Sequence, residues 1–163
     1  MRFIRQISFC LFFLIITTDL FGQAIGELTM YRAEISFGET SFQGLMAYKQ
    51  IGEDEYNCSM VNDIGVKAFD FKYKSGNIKF THVISFLDRA IIRKVMKKEM
   101  SLLFEYGIPA LENNGDGRVW PQKEPKPKQT TIMVKKNDAE RLLLNDKKYN
   151  LHITLYDIDK NDL

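Results

Sequence analysis

Few side chains in this chain of 163 residues have the type and spacing to do chemistry. His82 and His152 are far apart, and neither lies near a nucleophile-elbow pattern, so a hydrolytic triad lacks a base beside its nucleophile. Those histidines and Cys58 fall on separate predicted strands and match no zinc spacing. No glycine-rich turn joins a strand to a helix to cradle phosphate. Asp157, Asp159 and Asn161 imitate the start of a calcium loop, but Asp162 stands where the bend needs Gly, and a frayed polar terminus accounts for them. Asn113-Asn114-Gly115-Asp116-Gly117 is rich in cation-ligating oxygens, yet turn chemistry explains the same residues at lower demand. The expectation is a protein that is not an enzyme and uses no cofactor or metal.

Glu99 breaks this bland picture. It falls near the centre of an apolar helical stripe, between Val95 and Leu103, where an unpartnered carboxylate is costly. Either it is a structural buried acid, accepting hydrogen bonds from backbone amides or a basic group and pinning the helix to the sheet, or the helix is rolled so that it reaches solvent.

The elements that position these residues follow from periodicity. Period-two alternation marks strands, because successive side chains face opposite sides. It appears over Leu28 to Phe37, Thr40 to Lys49, Glu55 to Asn62, Val66 to Lys74 and Ile78 to Ile84. Gly38-Glu39, Gly52 to Asp54, Asp63 to Gly65 and Ser75 to Asn77 separate them, and connections this short require antiparallel neighbours. One face carries Tyr31, Ile35, Phe42, Met46, Tyr48, Tyr56, Met60, Phe69, Phe71 and Phe80. Cys58 on that face reads as a buried thiol and His82 as a hydrogen-bonded core histidine. Ser85 to Asp88 supplies helix-starting groups, and Asp88 to Phe104 lacks Gly and Pro, which predicts about four helical turns. Ile91, Ile92, Val95, Met96, Leu102 and Leu103 form its apolar stripe, opposite Arg93, Lys94 and Lys97. Gly107 and Pro109 end that region, and residues 113–129 read as an exposed Pro- and Lys-containing loop. Thr130 to Lys135 and Lys148 to Ile158 read as further strands, with a helical turn over Asp138 to Leu144 between them.

The chain opens Met1-Arg2-Phe3-Ile4-Arg5, and Ile7 to Ile16 is almost wholly apolar, which is the charge and length order of a cleavable export signal. That run is too short to span a bilayer, for which roughly 20 residues are needed. A small-residue cleavage site fits after Ala24, or less well after Gly22, giving a signal over residues 1–24 and one domain over 25–163. Cys10 is lost with the signal, so Cys58 has no intramolecular partner. The expected product is a soluble, unanchored monomer, periplasmic or secreted. With a formal charge of +2 and no basic stripe interleaved with aromatics, nucleic acid is not an expected partner.

Gly44-Leu45-Met46, the strand holding Tyr56 to Val61, Gly65, Phe69-Asp70-Phe71 and the helix with Lys97-Lys98-Glu99-Met100-Ser101-Leu102-Leu103 resemble a group of small exported Bacteroidetes proteins similar to the LolA/LolB lipoprotein-localisation fold. The resemblance covers Leu28 to Phe104. It implies a mainly β fold with α: a curved antiparallel half-barrel sheet whose concave apolar side, covered by helix, holds acyl chains. The chain has no lipid-attached cysteine after its signal and fewer clear helices than a carrier of that fold, and none of the carrier's functional residues maps onto a position here. Two roles remain open. One is a carrier or chaperone-like protein binding a lipid or lipoprotein acyl chain between sheet and helix, with the ten aromatic-face residues above and Ile92, Val95 and Met96 as lining, and Met46, Met60, Met96 and Met100 as its adaptable part. The other is a cell-envelope protein-interaction module, using a sheet edge or the loop from Gly115 to Gln129, in which the same residues are ordinary core.

Overall fold

A computed structural model describes residues 26–85, 87–122, 126–127, 129–136 and 138–158. The export signal expected over residues 1–24 lies outside these, as does the tail from residue 159. Nine strands, β1 (Leu28–Phe37), β2 (Thr40–Gly52), β3 (Glu55–Asn62), β4 (Lys67–Lys74), β5 (Asn77–Val83), β6 (Gly117–Trp120), β7 (Thr130–Val134), β8 (Glu140–Asp146) and β9 (Leu151–Tyr156), form one sheet in the order β5-β4-β3-β2-β1-β9-β8-β7-β6. Every neighbouring pair is antiparallel. The two end strands do not pair with each other, so the sheet is not closed into a barrel.

Turn chemistry explains the regular half. Ser75 and Gly76 both have positive φ (45° and 79°), as a tight two-residue hairpin requires. Asn62 holds the β3–β4 turn through its side chain, whose Oδ1 accepts from the N–H of Ile64 (3.2 Å) and of Val66 (2.7 Å). Gly44 sits directly opposite Asn62 because the strands approach closely there: a Cβ on Gly44 would lie 1.9 Å from the Val61 carbonyl oxygen.

Between β5 and β6 runs the helical stretch. Helix α1 (Ala90–Leu102) passes into a π turn (Leu103–Gly107) and a short α2 (Ile108–Glu112). The helical region therefore continues past the expected stop: Gly107 lies against β8, where a Cβ would meet Leu142 Cδ1 at 2.8 Å, and Pro109 enters α2 in its first turn, where a missing N–H is harmless. Val95, Met96, Glu99, Met100, Leu103, Phe104, Ile108 and Leu111 are buried, and their apolar members share one core cluster with the strands.

Four readings of the sequence are corrected. Asp138 to Leu144 is not a helical turn; its residues from Glu140 belong to β8. The loop expected over 113–129 contains an edge strand, β6. His82 faces outward, because a bulge opposite Asp70 and Phe71 advances β5 by one residue, pairing His82 with Asp70 and returning Val83 to the core side. Ile91 is 61% exposed and does not belong to the buried stripe.

Gly44→Ala is expected to cost about 3 kcal/mol, since the added methyl meets backbone rather than a side chain that can move. Urea unfolding of the two proteins measures it, and a change within about 0.5 kcal/mol would show that β2 and β3 separate without penalty.

Candidate functional site

All thirteen residues named as lining from the sequence converge. Ile35, Met46, Tyr48, Tyr56, Met60, Phe69, Phe71, Val95 and Met96 lie inside the core, and Tyr31, Phe42, Phe80 and Ile92 pack against it half-buried. Alternation brings the strand residues to one face, and Phe104 meets them from the helical side. Its ring centroid lies 5.4 to 5.6 Å from those of Tyr48, Tyr56, Phe71 and Tyr73, contributed by β2, β3 and β4. Cys58 is buried in this cluster, and burial pushes its thiol well above the ordinary range, so it is an apolar filler and not a nucleophile.

Two of the spaces that adjoin this core lie next to α1. The first is a nearly closed apolar crevice of about 20 Å³ at the N-terminal half of α1, lined by Ile35, Phe37, Thr40, Phe42, Phe69, Leu87, Ile92, Met96 and Leu151. It is room for about one water and has almost no polar wall to hold it. The second is an open cleft of about 690 Å³, bounded by the β4–β5 turn and β5 (Gly76, Asn77, Ile78), by α1 (Lys97, Lys98, Ser101, Leu102) and by Trp120, Gln129 and Thr130. Trp120 is held there by stacking on Tyr106, with centroids 4.3 Å apart.

Behind that cleft Glu99 is fully buried and does not reach solvent. Its Oε1 accepts from Lys98 Nζ (2.5 Å) and from the Thr130 hydroxyl (3.1 Å). Lys98 Nζ also donates to Thr130 Oγ1 (3.0 Å) and to Asp146 Oδ2 (3.3 Å). An ammonium has three N–H groups, and these three acceptors use them all, leaving none to turn toward the cleft. Asp146 Oδ1 accepts from the backbone N–H of Lys148 (2.7 Å) and Tyr149 (3.2 Å). The partners meet because Thr130 and Asp146 are directly opposed across β7 and β8, both on the buried side.

One proton completes the arrangement. Glu99 Oε2 is buried and receives no N–H or O–H, so its ionised form is uncompensated there and a proton on it is favoured. Burial first, and then the hydrogen bond its acid form gives Asp146, push Glu99 up to about 7 against the pull of Lys98. Burial would raise Asp146 too, but the hydrogen bonds from Glu99 and from Lys148 and Tyr149 N–H, with the Lys98 charge, hold it below its ordinary range. Lys98 is raised: the two carboxyl groups outweigh the burial that acts the other way.

Thr130, Asp146 and Lys98 were not among the residues singled out in the sequence. The signal was the alternation Leu142, Leu144, Asp146, hidden when that segment is read as helical.

Glu99 binds its proton more tightly folded than unfolded, so its contribution to stability is complete below its ordinary value of 4.5 and is lost as pH rises through about 7. The wild type is expected to lose up to about 3 kcal/mol of stability between pH 5 and pH 8 from this group, and Glu99→Gln to lack that component. Chemical denaturation across that range measures it; identical pH profiles for the two proteins would refute the shared proton. No protein-family model matches the chain, and no curated protein matches it in sequence.

Proposed function

We propose that the protein is a non-enzymatic carrier of the cell envelope, exported by its N-terminal segment, that shelters the acyl chain of a lipid or lipoprotein between the sheet and α1. On this reading the sheet is a half-barrel of the LolA/LolB type with its apolar side concave. The shared cleft supports the curvature, because residues next to both free edges, Asn77 and Trp120, line one space. The observation that carries the proposal is the apolar crevice under the N-terminal half of α1, the half that is weakly fastened. Arg89 at the N-cap makes no side-chain cap, the first turn has no acidic residue, and Ile91 faces water. The C-terminal half buries Glu99 and Met100, and the π turn that follows it carries Phe104 into the aromatic cluster.

As it stands the crevice is too small for a chain, so entry displaces Leu87, Ile92 and Met96. Uncovering three such side chains costs about 6 kcal/mol at most, and each inserted methylene contributes about 0.8 kcal/mol. Chains of about ten carbons or more offset the opening, and short ones do not. No described helix is long and apolar enough to cross a membrane.

The second reading, an interaction module with a fully packed core, is favoured by the crevice's small volume. Native mass spectrometry of the mature protein, purified without detergent, separates the two. The carrier reading expects an adduct with the mass of a long-chain lipid, removed by Leu87→Trp, which fills the crevice mouth at a half-buried position. A bare protein that also fails to take up a sixteen-carbon fluorescent probe would end the carrier reading.

A further inference from the structure

We propose that Glu99 and Asp146 form a proton-operated latch: with one proton between them they clamp α1 to β7 and β8, and loss of that proton as pH rises loosens α1 over the apolar crevice. The inference rests on the carrier reading only for what the loosening admits. The clamp joins three elements. Glu99 lies on α1, Thr130 on β7 and Asp146 on β8, and Lys98 ties all three.

The groups that face Glu99 are few. From α1 itself it is Lys98, from β7 the neutral Thr130 hydroxyl, and from β8 Asp146; Lys148, in the turn that follows, places its ammonium over the Tyr149 ring, 4.9 Å from the centroid. Among the described residues one cation, Lys98, therefore stands against two carboxyl groups, and both acids are all but fully buried. A proton on Glu99 removes one of the two buried negative charges and lets Oε2 act as a donor toward Asp146, whose Oδ1 is already held by the Lys148 and Tyr149 N–H groups. Without it, Glu99 Oε2 becomes a second buried negative oxygen with no donor, next to a carboxylate that keeps its own two backbone N–H bonds. The repulsion falls on the member free to move. Asp146 is fixed in a strand paired on both sides, whereas Glu99 rides on a helix whose first two turns are held by Ile92, Val95 and Met96 and by an exposed ion pair between Arg93 and Asp88. Glu99 titrating near 7 puts the transition in the neutral range.

Hydrogen–deuterium exchange of the full chain, read by mass spectrometry over residues 90–102 and corrected for the intrinsic effect of pH, tests the latch. Exchange in the wild type is expected to quicken about tenfold from pH 6 to pH 8.5. Glu99→Gln, which keeps the shape and cannot ionise, should stay slow at both. Asp146→Asn keeps the acceptor for the Lys148 and Tyr149 N–H groups but removes the like charge, and it too should be flat. A wild type flat across that range, or an Asp146→Asn variant that quickens as the wild type does, would overturn the latch. Uptake of a fluorescent monoacylglycerol, whose neutral head does not titrate, provides the second readout. Quickened exchange without uptake at any pH supports the latch and removes the carrier reading. Uptake with pH-independent exchange does the reverse.

Discussion

A sheet in which β9 returns to pair with β1 leaves β5 and β6 at the two ends of the strand order, and the chain between them has to travel from one end to the other. The stretch from Ala90 to Glu112 makes that journey as helix. The buried apolar residues of that stretch share one core cluster with those of the strands. Isolated helices of this length are marginal in water, so tertiary contact supplies most of what keeps α1 formed. Contacts are uneven along it. Phe104 touches aromatic rings from three strands and Gly107 brings the backbone up to Leu142, whereas the first turn shows Ile91 to water.

Glu99 belongs to this uneven fastening. Replacing a buried, partnered charge by a well-packed apolar group is often neutral or stabilising, so overall stability is a poor reason for its presence. Its geometry gives a better one. An apolar stripe alone lets a helix slide or roll by a turn at small cost, since greasy contacts are non-directional. Two directional contacts leave α1, from Glu99 to Thr130 of β7 and from Lys98 to Asp146 of β8, and together they favour one register. The polar cluster around Glu99 thus adds directional contacts to the apolar ones that Phe104 and its neighbours make.

The strands from Leu28 to Lys74 were legible because tight turns and strict alternation agree, and the tyrosines and phenylalanines assigned to one face share the core. His82 was misread for a physical reason: one bulged residue inverts every side chain beyond it, and the bulge opposite Asp70 and Phe71 leaves no mark in composition. The second half was harder. Glu140 to Asp146 carries Arg, three Leu and Asn, residues whose local preferences do not favour a strand, and pairing with β7 and β9 overrides them. That error also hid the site, because Asp146 reads as an inward polar residue only once β8 is seen to alternate. Glu99 was visible as an anomaly from the helix alone. Its partners were not, since Thr130 and Asp146 reach it by long-range strand pairing that no local pattern encodes.

A filled core bears on the carrier reading differently from the way it first looks. Ligand pockets that hold a chain are about 300 Å³ or larger, and an apolar cavity left empty costs about 24 cal/mol per Å³. A permanent pocket of that size would cost about 7 kcal/mol, comparable with the whole stability of a domain of this length. A carrier this small is therefore constrained to rest closed and to open where the opening is least expensive. Met46, Met60 and Met100 are fully buried and Met96 nearly so, and their unbranched side chains re-pack with less strain than Leu or Ile. The crevice lies beside Ile92 and Met96, toward the N-terminal end of α1, which has no side-chain cap. On the carrier reading we propose, the tight core and the uncapped helix end are two parts of one arrangement, in which the space for a ligand would be made by movement and not stored.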